Sequence, residues 1–172
     1  DALLSGLSGM TDLVQGQSGV FSIIDSVDDA AAALNLQGHT IRYGGQTFSS
    51  GSVYVSSNGL ISFGVTDTGP GNTTTLSGLK LAVFWDDLDT RRNSQDAVLG
   101  KFVDTDNNGS DDALVIEWSE VNHYSSSVPG SVTFQAVLQL DTGTQDALIR
   151  FNYLDTDFGD SGYNNGASAT VG

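Results

Sequence analysis

Val53-Tyr54-Val55-Ser56-Ser57-Asn58-Gly59-Leu60-Ile61-Ser62-Phe63-Gly64 is the stretch that decides the fold. Two runs of strand-forming residues flank Asn-Gly, the dipeptide that best tolerates the positive φ of a two-residue type I′ turn. That turn predicts a register in which Ser57 faces Leu60, Ser56 faces Ile61, Val55 faces Ser62 and Tyr54 faces Phe63. An aromatic cross-strand pair such as Tyr54–Phe63 contributes about 0.2–1 kcal/mol. Apolar side chains fall on both faces of the hairpin, so the pair is expected to be covered from two sides, as in the middle of a β-sandwich.

Outward from this hairpin the chain reads as short strands separated by turn signals. Phe21–Ile24, Thr40–Tyr43, Gln46–Phe48, Leu79–Phe84, Val98–Val103, Ala113–Trp118, Val132–Leu140, Ala147–Tyr153 and Ala167–Val171 are the expected strands. Leu34 and Leu36 alternate with polar neighbours in the same way. The pattern predicts an all-β fold, a sandwich of mainly antiparallel strands. Leu3, Leu7, Met10 and Val14 recur at helical spacing, but Gly6 and Gly9 interrupt them. Residues 1–26 therefore read as a strap or linker with room for a short helix, and residues 27–172 as the sandwich domain.

The 172 residues suffice for one domain with a sizeable core. With 21 Asp+Glu against 6 Lys+Arg the net charge is −15. Such a chain is repelled by phosphate, which argues against nucleic acid and anionic membrane surfaces. It suits a protein that binds cations. Without cysteine there is neither a disulfide framework nor a thiolate metal site. No run reaches transmembrane length, and no signal peptide is legible. Asp1 and Val171-Gly172 read as cut ends of something longer.

Three acidic constellations carry the chemistry. Asp104-Thr-Asp106-Asn-Asn108-Gly109-Ser110-Asp-Asp112 places oxygen side chains at positions 1, 3, 5 and 9, with Gly at 6. Ca²⁺ takes six to eight oxygens at roughly 2.3–2.6 Å, and alternate residues of a tight loop point inward to provide them. The Ser110 carbonyl would add another. Position 12 is Val115, not Glu, so this is no EF-hand. The loop is similar to the calcium loops of integrin-type β-hairpin repeats. Asp, Asn and Gly are also ordinary hairpin-loop residues. A second set, Asp86, Asp87 and Asp89, follows Phe84-Trp85; either a cation or nearby Arg91 and Arg92 would relieve its repulsion. A third, Asp155, Asp157 and Asp160, lies in a Gly-rich loop.

No catalytic set is legible. Gly159-Asp160-Ser161-Gly162 resembles the nucleophile region of trypsin-like proteases, but only His39 and His123 exist as bases. Glu117 and Glu120 flank Trp118, and Glu117 reads as the solvent side of a half-buried strand.

Several stretches, in order, resemble the NIDO domain, the extracellular module first described in nidogen. They are Val53–Gly64, Leu81-Ala-Val-Phe84-Trp85-Asp86-Asp87-Leu-Asp89-Thr90, Leu114–Trp118 with Val121 and Tyr124, Thr133–Leu138, Ile149–Tyr153 and Ala167–Gly172. The similarity runs from Val27 to Gly172. It implies an extracellular location, secreted or at the cell surface, and a role in cell–matrix adhesion rather than catalysis. The partner expected is extracellular matrix, a cell-surface protein or a glycan, with Ca²⁺ as the bound ion. The alternatives are a calcium-dependent carbohydrate-binding module, with Tyr54, Tyr124, Tyr163, Trp85 or Trp118 as stacking surface, and an accessory domain of a secreted hydrolase.

Overall fold

A computed structural model describes residues 11–71 and 76–172. The helical spacing read at the start of the chain lies largely outside these residues. Of the described part, residues 11–14 are extended without pairing and residues 15–19 turn into the first strand.

Among the described residues, twelve strands follow in chain order. They are β1 (Val20–Asp25), β2 (Ala31–Ala33), β3 (Ile41–Tyr43), β4 (Gln46–Phe48), β5 (Val53–Ser56) and β6 (Leu60–Phe63), then β7 (Lys80–Ala82), β8 (Leu88–Asp89), β9 (Ala97–Val103), β10 (Ala113–His123), β11 (Ser131–Gln139) and β12 (Ile149–Asp155). One sheet runs β1-β9-β10-β11-β12, with β8 pairing the far end of β10. The second runs β2-β5-β6-β7, and β3-β4 form a separate hairpin. Every pairing is antiparallel. Val20–Asp25, read from sequence as part of a strap or linker, is thus an edge strand of the larger sheet.

The two sheets share one core. Val53, Val55, Ile61, Phe63 and Leu81 from one meet Leu114, Ile116, Trp118, Phe134 and Ala136 from the other. Trp118 is fully buried, stacks on Phe134 at 4.9 Å, and donates its indole N–H across the gap to the Ser56 carbonyl at 2.9 Å. Burial of both faces of β5 and β6 agrees with the expectation from their sequence.

The register of that hairpin differs from the expected one. Val55 faces Ile61, Tyr54 faces Ser62 and Val53 faces Phe63. Of the turn residues, Gly59 has a positive φ (80°) and Asn58 does not. A type I′ turn needs both, so the connection is a three-residue loop, Ser57-Asn58-Gly59. The Tyr54–Phe63 pair does not form; Phe63 packs instead on Tyr43 and Phe48, at 4.8 and 5.0 Å.

The reason lies outside the hairpin. The Gly59 carbonyl accepts the Val83 N–H at 3.0 Å and the Phe84 N–H at 3.4 Å. A Cβ on Gly59 would sit 2.1 Å from the Phe84 oxygen. The chain 83–88 is therefore folded onto the turn, and this contact ends β7 at Ala82, short of the expected Phe84. The C-terminal residues seal the same edge. Trp85 and Thr170 exchange both backbone hydrogen bonds at 2.9 Å, as do Ala82 and Gly172 at 2.7 and 2.9 Å.

Gly59→Ala is expected to cost more than about 2 kcal/mol, since left-handed backbone strain and a backbone clash add. Gly51 shares the positive φ (82°) but has open space around its Cβ position. Gly51→Ala should cost only about 1 kcal/mol. Urea unfolding of the two variants separates the terms; equal losses would contradict the close approach.

Candidate functional site: two carboxylate clusters

Asn58 organises the first cluster. Its Oδ1 accepts the Leu88 N–H at 2.8 Å, while its Nδ2 donates to the Thr68 carbonyl at 3.1 Å and to Asp29 Oδ1 at 2.8 Å. Its carbonyl takes the Asp86 N–H at 3.3 Å. Next to it, Ser57 and Ala30 bond through both backbone and hydroxyl, which brings Asp28-Asp29 to the turn. The sequence reading gave Asn58 a backbone role. The structure gives it a side-chain role: fully buried, it holds together three segments distant in sequence.

Held this way, the three acids of Phe84-Trp85-Asp86-Asp87-Leu88-Asp89 part company. Asp86 turns inward, accepting from the Ser168 hydroxyl and the Asp87 N–H, with His123 Nε2 3.8 Å away. His123 Nδ1 accepts the Ser125 N–H, which leaves Nε2 to carry the hydrogen of the neutral ring. Asp89 is gripped by Arg91, at 2.8 and 2.9 Å, with Arg92 3.8 Å away. Of these three acids, Asp89 is the one that arginine grips. Asp87 is left facing Asp28 and Asp29, and oxygens of these three carboxylates lie within 4.8 Å of one another. Arg91 reaches Asp28 Oδ2 at 2.8 Å, but Asp28 Oδ1 is buried without a partner.

Electrostatics follow the geometry. Burial, only partly offset by Arg91, pushes the Asp28 carboxyl above its ordinary range; Asp89 and Asp29 add to the rise. Asp87 is raised by burial and then by Asp29. Sequence reasoning missed Asp28 and Asp29 because the pairing of Asp28 with Asp89 spans about a third of the chain. It also missed Asp96, 1 % exposed, whose Oδ2 takes the Arg92 and Asn93 N–H groups and the Asn122 side chain.

The second cluster is the hairpin loop between β9 and β10. Oxygens of Asp104, Asp106 and Asp112 converge within 4.8 Å. Asp104 accepts the Gly109 N–H at 2.7 Å and the Asn108 N–H at 3.1 Å, and these bonds, Gly109 first, hold its carboxyl below the usual range. Asn107 and Gly109 take positive φ, 58° and 93°, which curls the backbone around the acids. Thr105 donates its N–H and its hydroxyl to Asp112. Asn108 donates to Asp106 at 2.9 Å and accepts the Ser110 N–H at 2.8 Å. Three carboxylates drawn together by a handful of N–H donors form an oxygen-rich, net negative cup that suits a hard divalent cation.

The Gly-rich loop after β12 is different. Asp155, Asp157 and Asp160 each cap a turn, accepting the N–H two residues on at 2.8, 2.7 and 2.8 Å. They form no shared cluster among the described residues. Of the two histidines, His39 bonds Asp141 at 2.6 Å and His123 is buried beside Asp86. Trp85 and Trp118 are 6 % and 0 % exposed, so neither offers a stacking surface, whereas Tyr124 is 52 % exposed. Its N–H bonds the Asp87 carbonyl at 2.7 Å, which sets it beside the first cluster.

Glu117 also corrects the sequence reading. It is fully buried, not on a solvent face. Residues 11–14 cross over it, and Leu13 donates its N–H to both carboxylate oxygens, at 3.1 and 3.0 Å. Burial pushes its pKa up to about 7.

A family model described as NIDO related matches residues 10–172. The chain belongs to the NIDO-related family, whose domains are generally extracellular modules. The match takes in the strap and β1 as well as the stretch from Val27 onward. No curated protein and no solved structure matches the chain. No helix among the described residues is long and apolar enough to cross a membrane.

The titrations predict an acid-side optimum. Asp28, Asp87 and Glu117 are raised on folding, so the folded chain keeps protons that the unfolded chain has lost. Their effect lowers stability as pH climbs from the ordinary carboxylate range toward 7. Asp104, Asp67 and Asp141 are lowered: at Asp67 and Asp141 burial acts upward, but bonds from Lys80 and Gly69, and from His39 and Thr40, outweigh it. Their stabilisation is lost as pH falls below the ordinary range. In EDTA the melting temperature should therefore peak at mildly acidic pH; a steady rise through pH 8 would refute this balance.

Proposed function

We propose that this domain is a calcium-stabilised adhesion or interaction module of a larger secreted or surface protein. The convergence of Asp104, Asp106 and Asp112 at the tip of the β9–β10 hairpin carries the reading. Oxygens of the three acids lie within 4.8 Å of one another, and loop N–H groups favour the ionised form of Asp104. A divalent ion would remove the repulsion, and Asn108 and the Ser110 carbonyl stand in the same loop to complete its oxygen shell. Asp28, Asp29 and Asp87 offer a second, more enclosed set. Family membership supports an extracellular setting, where millimolar Ca²⁺ keeps even weak sites filled.

Binding to the folded state alone stabilises by RT ln(1 + [L]/Kd), about 2.7 kcal/mol at a hundredfold excess over Kd. Calcium should raise the melting temperature and EDTA should lower it; no difference would sink the proposal. Asp104→Ala should remove the part of the shift due to the hairpin site. Asp87→Asn should remove the part due to the enclosed site, and by relieving repulsion it should itself raise the melting temperature in EDTA.

One observation favours calcium-dependent glycan recognition as the second reading. Tyr124 is exposed, and its backbone N–H bonds the Asp87 carbonyl. A glycan array read with and without Ca²⁺ distinguishes it: a purely architectural module stays silent in both, and a lectin-like one loses its signal in EDTA and on Tyr124→Ala.

A further inference from the structure

The strap Thr11–Gln15 is attached to the outer face of the larger sheet by a small set of contacts. Leu13, 2 % exposed, plugs into a strip of Ala97, Leu99, Ala113, Val115 and Val137. Its N–H is held by both oxygens of Glu117. Gln135 Nε2 donates to the Thr11 carbonyl at 2.7 Å and also to Glu117. Gln15 bonds Asp25 at 2.9 Å. The neighbours of Leu13 in the strap are exposed, and the turn to β1 contains Gly16 and Gly19 at positive φ. Among the described residues, one apolar side chain and a few hydrogen bonds hold the segment, with a glycine-containing turn behind it.

Glu117 is the polar centre of this attachment, and the strap is what shields it. The charged groups around it are few. Asp12 on the strap faces it, carboxyl to carboxyl. Lys101 on β9 lies in register with Val115 and lines a cavity of about 100 Å³ with Thr11, Leu13 and Gln135. Arg150 on β12 is opposite Val137, and Asp25 on β1 is bonded to Gln15. Burial and Asp12 oppose ionisation of Glu117, and the bonds from Gln135 and Leu13 offset them only in part. A proton on Glu117 satisfies the pair, because the protonated carboxyl can donate to Asp12 while its other oxygen accepts from Leu13.

We propose that the strap is a proton-operated cover, which lies on the sheet while Glu117 is protonated and lifts as Glu117 ionises, uncovering the apolar strip along Leu99, Val115 and Val137. The sign follows from linkage. Covering the carboxyl favours its neutral form, so docking the strap takes up a proton and is favoured at low pH. Burial and Asp12 hold Glu117 near 7 under the strap, and release returns it toward 4.5. The docked-to-released ratio then falls by up to about 300-fold across that window.

Hydrogen exchange of the Leu13 amide reads the docking directly, once rates are corrected for the intrinsic pH dependence. Between pH 5.5 and 8.5 its protection factor should fall at least about tenfold, while amides of β10 and β11 keep theirs. Glu117→Gln retains an acceptor for Leu13 and a donor for Asp12 but cannot ionise, so its Leu13 protection should stay level. Asp12→Asn, at an exposed position, should fold normally and narrow the change. A wild-type protection factor independent of pH would overturn the proposal. So would an equal fall in Glu117→Gln, or a loss of protection spread over the whole sheet.

Discussion

The rest of the structure depends on the backbone contact between Asn58-Gly59 and residues 83–88. The Gly59 carbonyl receives two N–H groups from Val83 and Phe84 at a distance that leaves no room for a side chain. The Asn58 amide then satisfies the Leu88 N–H and ties in Asp29 and Thr68. A buried N–H left unpaired costs about 1–3 kcal/mol, so each of these bonds constrains the path of the chain. Together they set the hairpin register, end β7, launch β8 onto β10 and decide which way each acid of the Asp86–Asp89 segment points.

That constraint explains how so acidic a chain tolerates buried carboxylates. Asp86 is answered by Ser168 and its own loop and Asp89 by Arg91, whereas Asp96 is answered only at Oδ2, by Arg92, Asn93 and Asn122, and burial pushes its carboxyl up. Compensation at Asp28, Asp29 and Asp87 is incomplete. The hairpin loop repeats the situation at the other end of β10, roughly 30 Å away at about 3.3 Å per residue. Like charge is therefore concentrated at the two ends of the longest strand, while its middle is apolar on the core side. On the opposite side that middle carries Glu117, a buried acid covered by the strap.

Much of this was legible in the residues. Alternation and turn chemistry located most strands, though not Ala31–Ala33 or Leu88–Asp89, and Ala167–Val171 forms only a bridge at Thr170; the spacing of Asp104, Asp106, Asn108 and Asp112 marked a loop whose carboxylates do converge. Such features are local, set within a few residues by backbone preference and side-chain period. The misreadings share the opposite property. The turn at Asn58-Gly59 obeyed a tertiary contact with Phe84 rather than its own dipeptide preference. Glu117 looked solvent-facing because its cover comes from 104 residues away. Asp86, Asp87 and Asp89, close in sequence, were separated by the groups that face them: Ser168, the Asp28-Asp29 pair and Arg91.

By itself, then, the sequence determined an all-β antiparallel chain, its lack of thiol chemistry and the oxygen-rich hairpin loop, while its family came from the resemblance of ordered stretches to a known domain. The first three rest on composition and short-range pattern, which need no knowledge of what packs where. Only the tertiary structure decided the hairpin register, the pairing of Asp28-Asp29 with Asp87 and the burial of Glu117. Each of these depends on which distant backbone N–H or side chain arrives to satisfy a polar group, and that is fixed by the closure of the two sheets on each other.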